Sequence, residues 1–211
     1  MEKLDLTKQY KNYFNAKTSP EIILVEAAQF ISIKGKGDPS EKPFTERIEA
    51  LYAAAYTIKF DFKVKEKDFA VAKLEGLWWF DEDKYQGKTI SNSPVEVPRS
   101  EWEYRLLIRL PDFVTESDVK NAITKVLAKK NIDLANEISF YQMSEGKSVQ
   151  MLHIGPFATE PETLQKIGDF IEANKLTRNG LHHEIYLSDF RKTAPEKLKT
   201  ILREPVKSVN P

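Results

Sequence analysis

Apolar residues recur along the chain at two spacings, and the two alternate. In LHHEIYLSDF (181–190), Ile185 and Leu187 fall on one side of an extended chain, and His182, Glu184 and Tyr186 on the other. That is the pattern of a strand with one face on a core. The second face carries a carboxylate beside a phenol and an imidazole, and what it looks at is the first functional question. EIILVEAAQFISIKG (21–35) predicts one or two strands ending at Gly35, and FAVAKLEGLWW (69–79) and EWEYRLLIRL (101–110) predict one each. ISFYQM and SVQMLHI read as a hairpin around SEGK, and APEKLKTILREPV as a short turn and a last strand. The second spacing is helical. Leu6, Tyr10, Tyr13 and Phe14 predict a short helix over 4–14, and Phe44, Ile48, Leu51, Tyr52 and Ala55 mark a longer one. Val119, Ala122, Ile123, Val126 and Leu127 form the stripe of a third helix, behind a capping box of Thr115 and Asp118. Thr159 and Glu162 have the same spacing ahead of a helix carrying Leu164, Ile167 and Ile171. The polar segment 81–100 and LTRNG (176–180) read as a loop and a turn.

The two halves resemble each other. FISIKG (30–35) matches QMLHIG (150–155), and the following helices align Ile48 with Ile167 and Leu51 with Phe170. Each copy reads strand, loop, helix, strand, strand. The expected fold class is α+β: tandem pseudo-twofold βαββ modules form an antiparallel sheet about eight strands wide. Helices lie on one face, and the opposite face is left free for a central ligand groove. The expected organisation is a single domain over 1–211, with an N-terminal helix in 1–20 and the first module in 21–111. A linker helix and the second module fill 112–211.

Composition narrows the function. Lys+Arg and Asp+Glu are both 32 in 211 residues, so the chain lacks the basic excess of a dedicated nucleic-acid binder. There is no cysteine, which excludes disulfides, thiol catalysis and thiolate metal sites. The start, MEKLDLTKQYKNYF, has no apolar signal core, and no window approaches the roughly 18 apolar residues of a membrane span. A cytoplasmic protein without membrane contact is expected. The histidines, His153, His182 and His183, lack HExxH spacing or a carboxylate triad, so no metal site is expected.

GKGDP (35–39), LYAAAYTIKF (51–60), LEGLWW (74–79), EWEYRLLIRLPDF (101–113), HIGPF (153–157) and HEIYLSDFRK (183–192) resemble the GyrI-like small-molecule-binding family. The resemblance implies the same tandem fold and a planar aromatic ligand, often cationic or reactive. Such ligands lie in the central groove near an acidic residue on the last-quoted strand, a position that Glu184 occupies. Some family members carry a helix-turn-helix and sense drugs at DNA. The first 20 residues here are too few for one, so direct DNA binding is not expected. Stand-alone members with a LEGLWW-type sequence include hydrolases of cyclopropane-bearing DNA-alkylating antibiotics. The resemblance thus implies a cofactor-independent hydrolase that gives antibiotic resistance by detoxification, acting as a monomer or weak dimer. The alternatives are a non-catalytic multidrug-binding, sequestration or sensing module, and an interaction protein that shields a partner such as gyrase.

Within that frame Glu184 is the candidate base, its carboxyl raised by burial against aromatic rings. Tyr186 and Tyr141 are candidate hydroxyl donors to an oxygen on which charge develops. Trp102 and Tyr104 share a strand face and offer stacking surface. Trp78 and Trp79 point to opposite faces, and Trp79 is the one expected to line the groove. Glu75 is the reserve carboxylate, and His153 a further ligand-binding candidate.

Overall fold

The computed structural model describes residues 3–88 and 91–209; Thr89 and Ile90, within the expected loop 81–100, lie outside them. The strands are Glu21–Val25 (β1), Ala28–Lys36 (β2), Leu74–Trp79 (β3), Glu103–Arg109 (β4), Ser139–Met143 (β5), Gly146–Ile154 (β6), Leu176–Arg178 (β7), His182–Tyr186 (β8) and Lys199–Ser208 (β9). The helices are Leu6–Gln9 (α1), Lys42–Lys63 (α2), Ser93–Glu96 (α3), Glu116–Lys130 (α4) and Glu160–Ala173 (α5). Among the described residues the strands form one antiparallel sheet in the order β1-β6-β9-β8-β3-β4-β2-β5, with β7 against the end of β9. Two copies of strand–helix–strand–strand, β2-α2-β3-β4 and β6-α5-β8-β9, meet where β3 pairs with β8.

The outermost strands are exchanged between the copies. β1 leads into β2 but pairs with β6, from Glu21 opposite Gln150 to Val25 opposite Gly146. β5 leads into β6 but pairs with β2, from Ala28 opposite Met143 to Ser32 opposite Ser139. The expected hairpin around SEGK is therefore absent: its two strands run to opposite ends of the sheet. The exchange pairs the outer edge of each copy's first strand, whose backbone groups a local hairpin would leave open on β2. Phe30 and Ile31 of β2 are fully buried as a result.

Other elements are shorter than expected. α1 covers only Leu6–Gln9, after which the chain turns and lays Tyr13 and Phe14 on the sheet. Before β3, Phe69 makes only a bridge to Leu4. LTRNG opens as strand rather than turn, because Leu176–Arg178 pairs with β9. The Thr115–Asp118 capping box is present at α4. Thr159 caps nothing: its hydroxyl donates instead to the Pro156 carbonyl at 2.8 Å.

Both long helices of the copies cover the same face. On α2, Phe44 stacks on Trp78 and sets its edge against Tyr104, with centroids 5.8 and 5.0 Å away. On α5, Leu164, Ile167 and Ile171 meet Val149, Met151 and Leu202. Register places these strand residues on one face, because Trp78 lies opposite Tyr104 and Glu184 opposite Leu202. Burying each large side chain of this kind contributes roughly 1.5–3 kcal/mol. The other face is not free. Tyr13 and Phe14 are buried across its centre, so the expectation of a groove there is overturned.

Candidate functional site

Strand alternation puts His182, Glu184 and Tyr186 on the helix-covered face and His183 and Ile185 on the other. The residue opposite Glu184 in β3 is Gly76. A Cβ there would sit 2.8 Å from Trp78 Nε1 and 3.0 Å from the Tyr186 hydroxyl. The glycine thus lets indole and phenol close over the strand, and Trp78 Nε1 donates to Tyr186 Oη at 3.1 Å. The Glu184 carboxylate lies near enough for its charge to act on the Tyr186 hydroxyl. Phe157 and Phe190 set their edges against Tyr186 at 6.0 and 6.2 Å. Beside them lies a cavity of about 90 Å³, lined by Tyr186, Phe190, Arg191, Leu74, Ile48 and Tyr52. Ligand pockets hold about 300–1,000 Å³, so a drug-sized planar molecule requires the aromatic side chains here to part.

The charges are arranged around Glu184. Glu160, the first residue of α5, is buried, and its Oε1 has no hydrogen-bond partner among the described residues. Burial, and then the Glu184 charge, push its carboxyl well above the usual range, which favours its protonated form. The two ring N–H groups of His182 face two carboxylates, Glu204 at 2.5 Å and Glu184 at 3.3 Å. Both nitrogens can donate only in the imidazolium form. Burial alone would lower this histidine, but Glu204 and then Glu184 overcome it and push it up to about 10. Glu204 also accepts from Arg178 Nε at 3.1 Å. Burial and the carboxylates of Glu184 and Glu160 raise Tyr186 well above its ordinary value, which keeps the phenol neutral and able to donate. One face thus gathers a buried carboxyl whose protonated form is favoured, a carboxylate held by an imidazolium, a phenol donor and an aromatic wall.

Of the residues singled out in the sequence, Glu184 and Tyr186 stand at the centre of this group. Trp102 packs on Trp78 and Phe80, with centroids 6.5 and 5.1 Å away. Tyr104 is buried with its ring over Gly35, so it supports the wall from beneath. His153 shares the face but lies two strands away, bonded to Thr163 Oγ1 at 2.9 Å. Trp79, Glu75 and Tyr141 point to the opposite face. Trp79 stands opposite Glu103, so Trp78 takes the place expected of Trp79. Tyr141 stands opposite Phe30 under the Arg105 guanidinium, 4.2 Å from its ring centroid. Glu160, Trp78 and His182 were missing from the expected site. EPETLQKIGDF resembles an ordinary acidic first turn, and only the buried position of Glu160 sets it apart.

Glu75 belongs to a second buried group beneath the N-terminal segment. It accepts from Tyr13 Oη at 2.5 Å and from His183 Nε2 at 2.9 Å. His183 Nδ1 donates to Glu145 at 3.0 Å, and Glu145 accepts from Arg203 at 3.2 Å. Burial would raise Glu145, but His183 and then Arg203 bring it down to about 2. Arg203 also donates to the Tyr13 carbonyl at 2.7 Å. This group ties the N-terminal segment to the sheet directly behind Glu184.

The family model of the GyrI-like small molecule binding domain matches residues 18–207. The chain belongs to the GyrI-like family. This GyrI-like chain is 38% identical to an uncharacterised conserved protein from Listeria innocua, over 97% of its own length and 100% of that chain, with a TM-score of 0.86. It is also similar to a protein described as a hydrolase from Listeria innocua, at 36% identity over 97% and 100% of the chains and a TM-score of 0.82. A further Listeria innocua hydrolase matches at 36% identity over 98% and 100%, with a TM-score of 0.83. No curated protein matches. Among the described residues no group of three or more metal-ligating side chains converges, and no helix is long and apolar enough to cross a membrane.

Proposed function

We propose that this GyrI-like protein hydrolyses a planar aromatic compound bearing a strained cyclopropane, of the DNA-alkylating antibiotic class, and so protects the cell that makes it. The observation that carries the reading is the buried Glu160 carboxyl and the half-buried Glu184 beside a neutral Tyr186 phenol. Hydrolase relatives at 36% identity support it. In this reading Glu184 accepts the proton of a water molecule whose oxygen attacks a cyclopropane carbon. A C–O bond forms, the strained C–C bond breaks, and its electron pair flows to a conjugated oxygen of the ligand. Tyr186 and the protonated Glu160 supply donors for the charge that develops there. Water is the sole co-reactant, and relief of ring strain drives the step.

The site's acidic character also suits binding of a cationic aromatic compound without turnover, which is the second reading. Incubation of catalytic protein with a cyclopropane-bearing antibiotic, followed by product mass, separates the two. Glu184→Gln keeps the shape and removes the base, so the rate is expected to fall by ~10²–10⁴-fold while affinity for a neutral planar dye holds. An undiminished rate in that variant removes Glu184 from the role of base. Absence of turnover in the unaltered protein favours binding alone.

A further inference from the structure

One surface of α2 is at odds with the rest of that helix. Ile48, Leu51, Ala54, Ala55, Ile58 and Phe62 are buried, as a helix on a sheet requires. Yet Tyr56 and Phe60 are 45% and 55% exposed. With Tyr52 they stand at i, i+4 and i+8, so their rings follow one another along a single stripe. Successive ring centroids are 6.3 and 6.3 Å apart, and the planes differ by 32° and 31°. The stripe is a row of mutually tilted rings extending about 12 Å over two helical turns. The Lys59 ammonium lies 5.0 Å from the Phe60 centroid and steadies that ring. Single exposed aromatics need no explanation, but a contiguous row does. The row also has a direction. Its first member, Tyr52, lines the cavity beside Tyr186.

We propose that Tyr52, Tyr56 and Phe60 form a second binding subsite, which takes the outer portion of an elongated flat aromatic ligand whose inner ring system enters the cavity beside Tyr186. The proposal rests on the cavity being a ligand site, though not on any reaction there. Continuity through Tyr52 with the cavity and the wholly aromatic make-up of the row argue for a flat small molecule. A protein partner or a second copy of the chain needs about 800 Å² on each side, which three ring faces do not supply. The ligand class is therefore two or more linked planar ring systems, which one set of stacking contacts would hold less firmly.

The test compares a single benzimidazole with a bisbenzimidazole dye on the full chain, by fluorescence titration. The unaltered protein is expected to bind the bisbenzimidazole at least about tenfold more tightly than the single ring. Replacing both outer rings, Tyr56→Ser with Phe60→Ser, should remove that advantage and leave single-ring affinity unchanged. These side chains are exposed, and thermal melts of the variant verify that it folds. Equal bisbenzimidazole affinity in variant and unaltered protein overturns the proposal while leaving the cavity intact. So does a concentration-dependent dimer that the variant abolishes, because the stripe would then serve a second copy. Failure of the single ring to bind, with ring-dependent binding of the longer dye, counts against the cavity and overturns the proposal in this form, leaving the stripe as a separate site.

Discussion

Deprotonating His182 should unfasten the candidate site. Its imidazolium sits between Glu204 and Glu184, and its pKa moves from 6.5 in the unfolded chain to about 10 in the folded one. A histidine raised in this way contributes stability that is fully present below pH 6.5 and is lost as pH rises through the folded value. At 1.36 kcal/mol per pH unit, the interval from 6.5 to about 10 is worth roughly 5 kcal/mol. His182→Gln keeps a donor but not the charge, leaving Glu184 without a cation and Glu204 with Arg178 alone. At pH 6 the variant should be less stable by about 3–5 kcal/mol, the usual loss when one partner of a buried pair is removed. The unaltered protein then loses its own imidazolium as pH rises, so the gap should close by roughly 4 kcal/mol between pH 6 and 9.5. His183 is also raised and adds to the slope, but it does so in both proteins and cancels in the comparison. Urea unfolding followed by tryptophan fluorescence at pH 6, 8 and 9.5 measures the gap. A gap that stays constant over this range would refute the assignment of charge to His182.

Gly76→Ala should destabilise by about 1–3 kcal/mol, since its Cβ would press on Trp78 Nε1 at 2.8 Å and on the Tyr186 hydroxyl at 3.0 Å; an unchanged urea midpoint would show that the two rings yield freely. Glu160→Gln imitates the protonated acid that burial already enforces, so it should leave stability at pH 7 unchanged or raise it. A carboxyl raised on folding opposes the folded state increasingly as pH climbs above its unfolded value, and the variant should lose that part of the acid-range dependence; a less stable variant at pH 7 argues against the proton on Glu160.

The core of the fold is legible in the chain because its periods are clean. Ile48, Leu51 and Ala55 on α2, and the alternation through His182–Tyr186, report their own burial without knowledge of any neighbour. What sequence cannot carry is partnership between distant segments. ISFYQM and SVQMLHI are adjacent and strand-like, yet instead of pairing with each other they reach β2 and β1, each more than a hundred residues away. Trp78 and Trp79 differ only in which face they meet, and the register against β4 and β8 decides that. His182 and His183 look like one polar pair, but alternation sends them to opposite faces. There Glu204 and Glu145, respectively, await them from other strands and turns. Glu160 gives no signal at all in one dimension, because its burial arises only when α5 closes against the sheet at β6 and β9.

The exchange of outer strands governs how the chain must be assembled. Glu21 pairs with Gln150 and Phe30 with Tyr141, so each seam joins positions separated by most of the polypeptide. Closing loops of that length precedes any reward from the contacts they bring together, which places these seams late in folding and slows the overall rate. Neither half is a finished object before then, because each lacks an edge that only the other can lend. A chain cut between the halves would yield two incomplete pieces whose association restores the missing borders, so the fold behaves as an interlocked pair and not as two beads on a string.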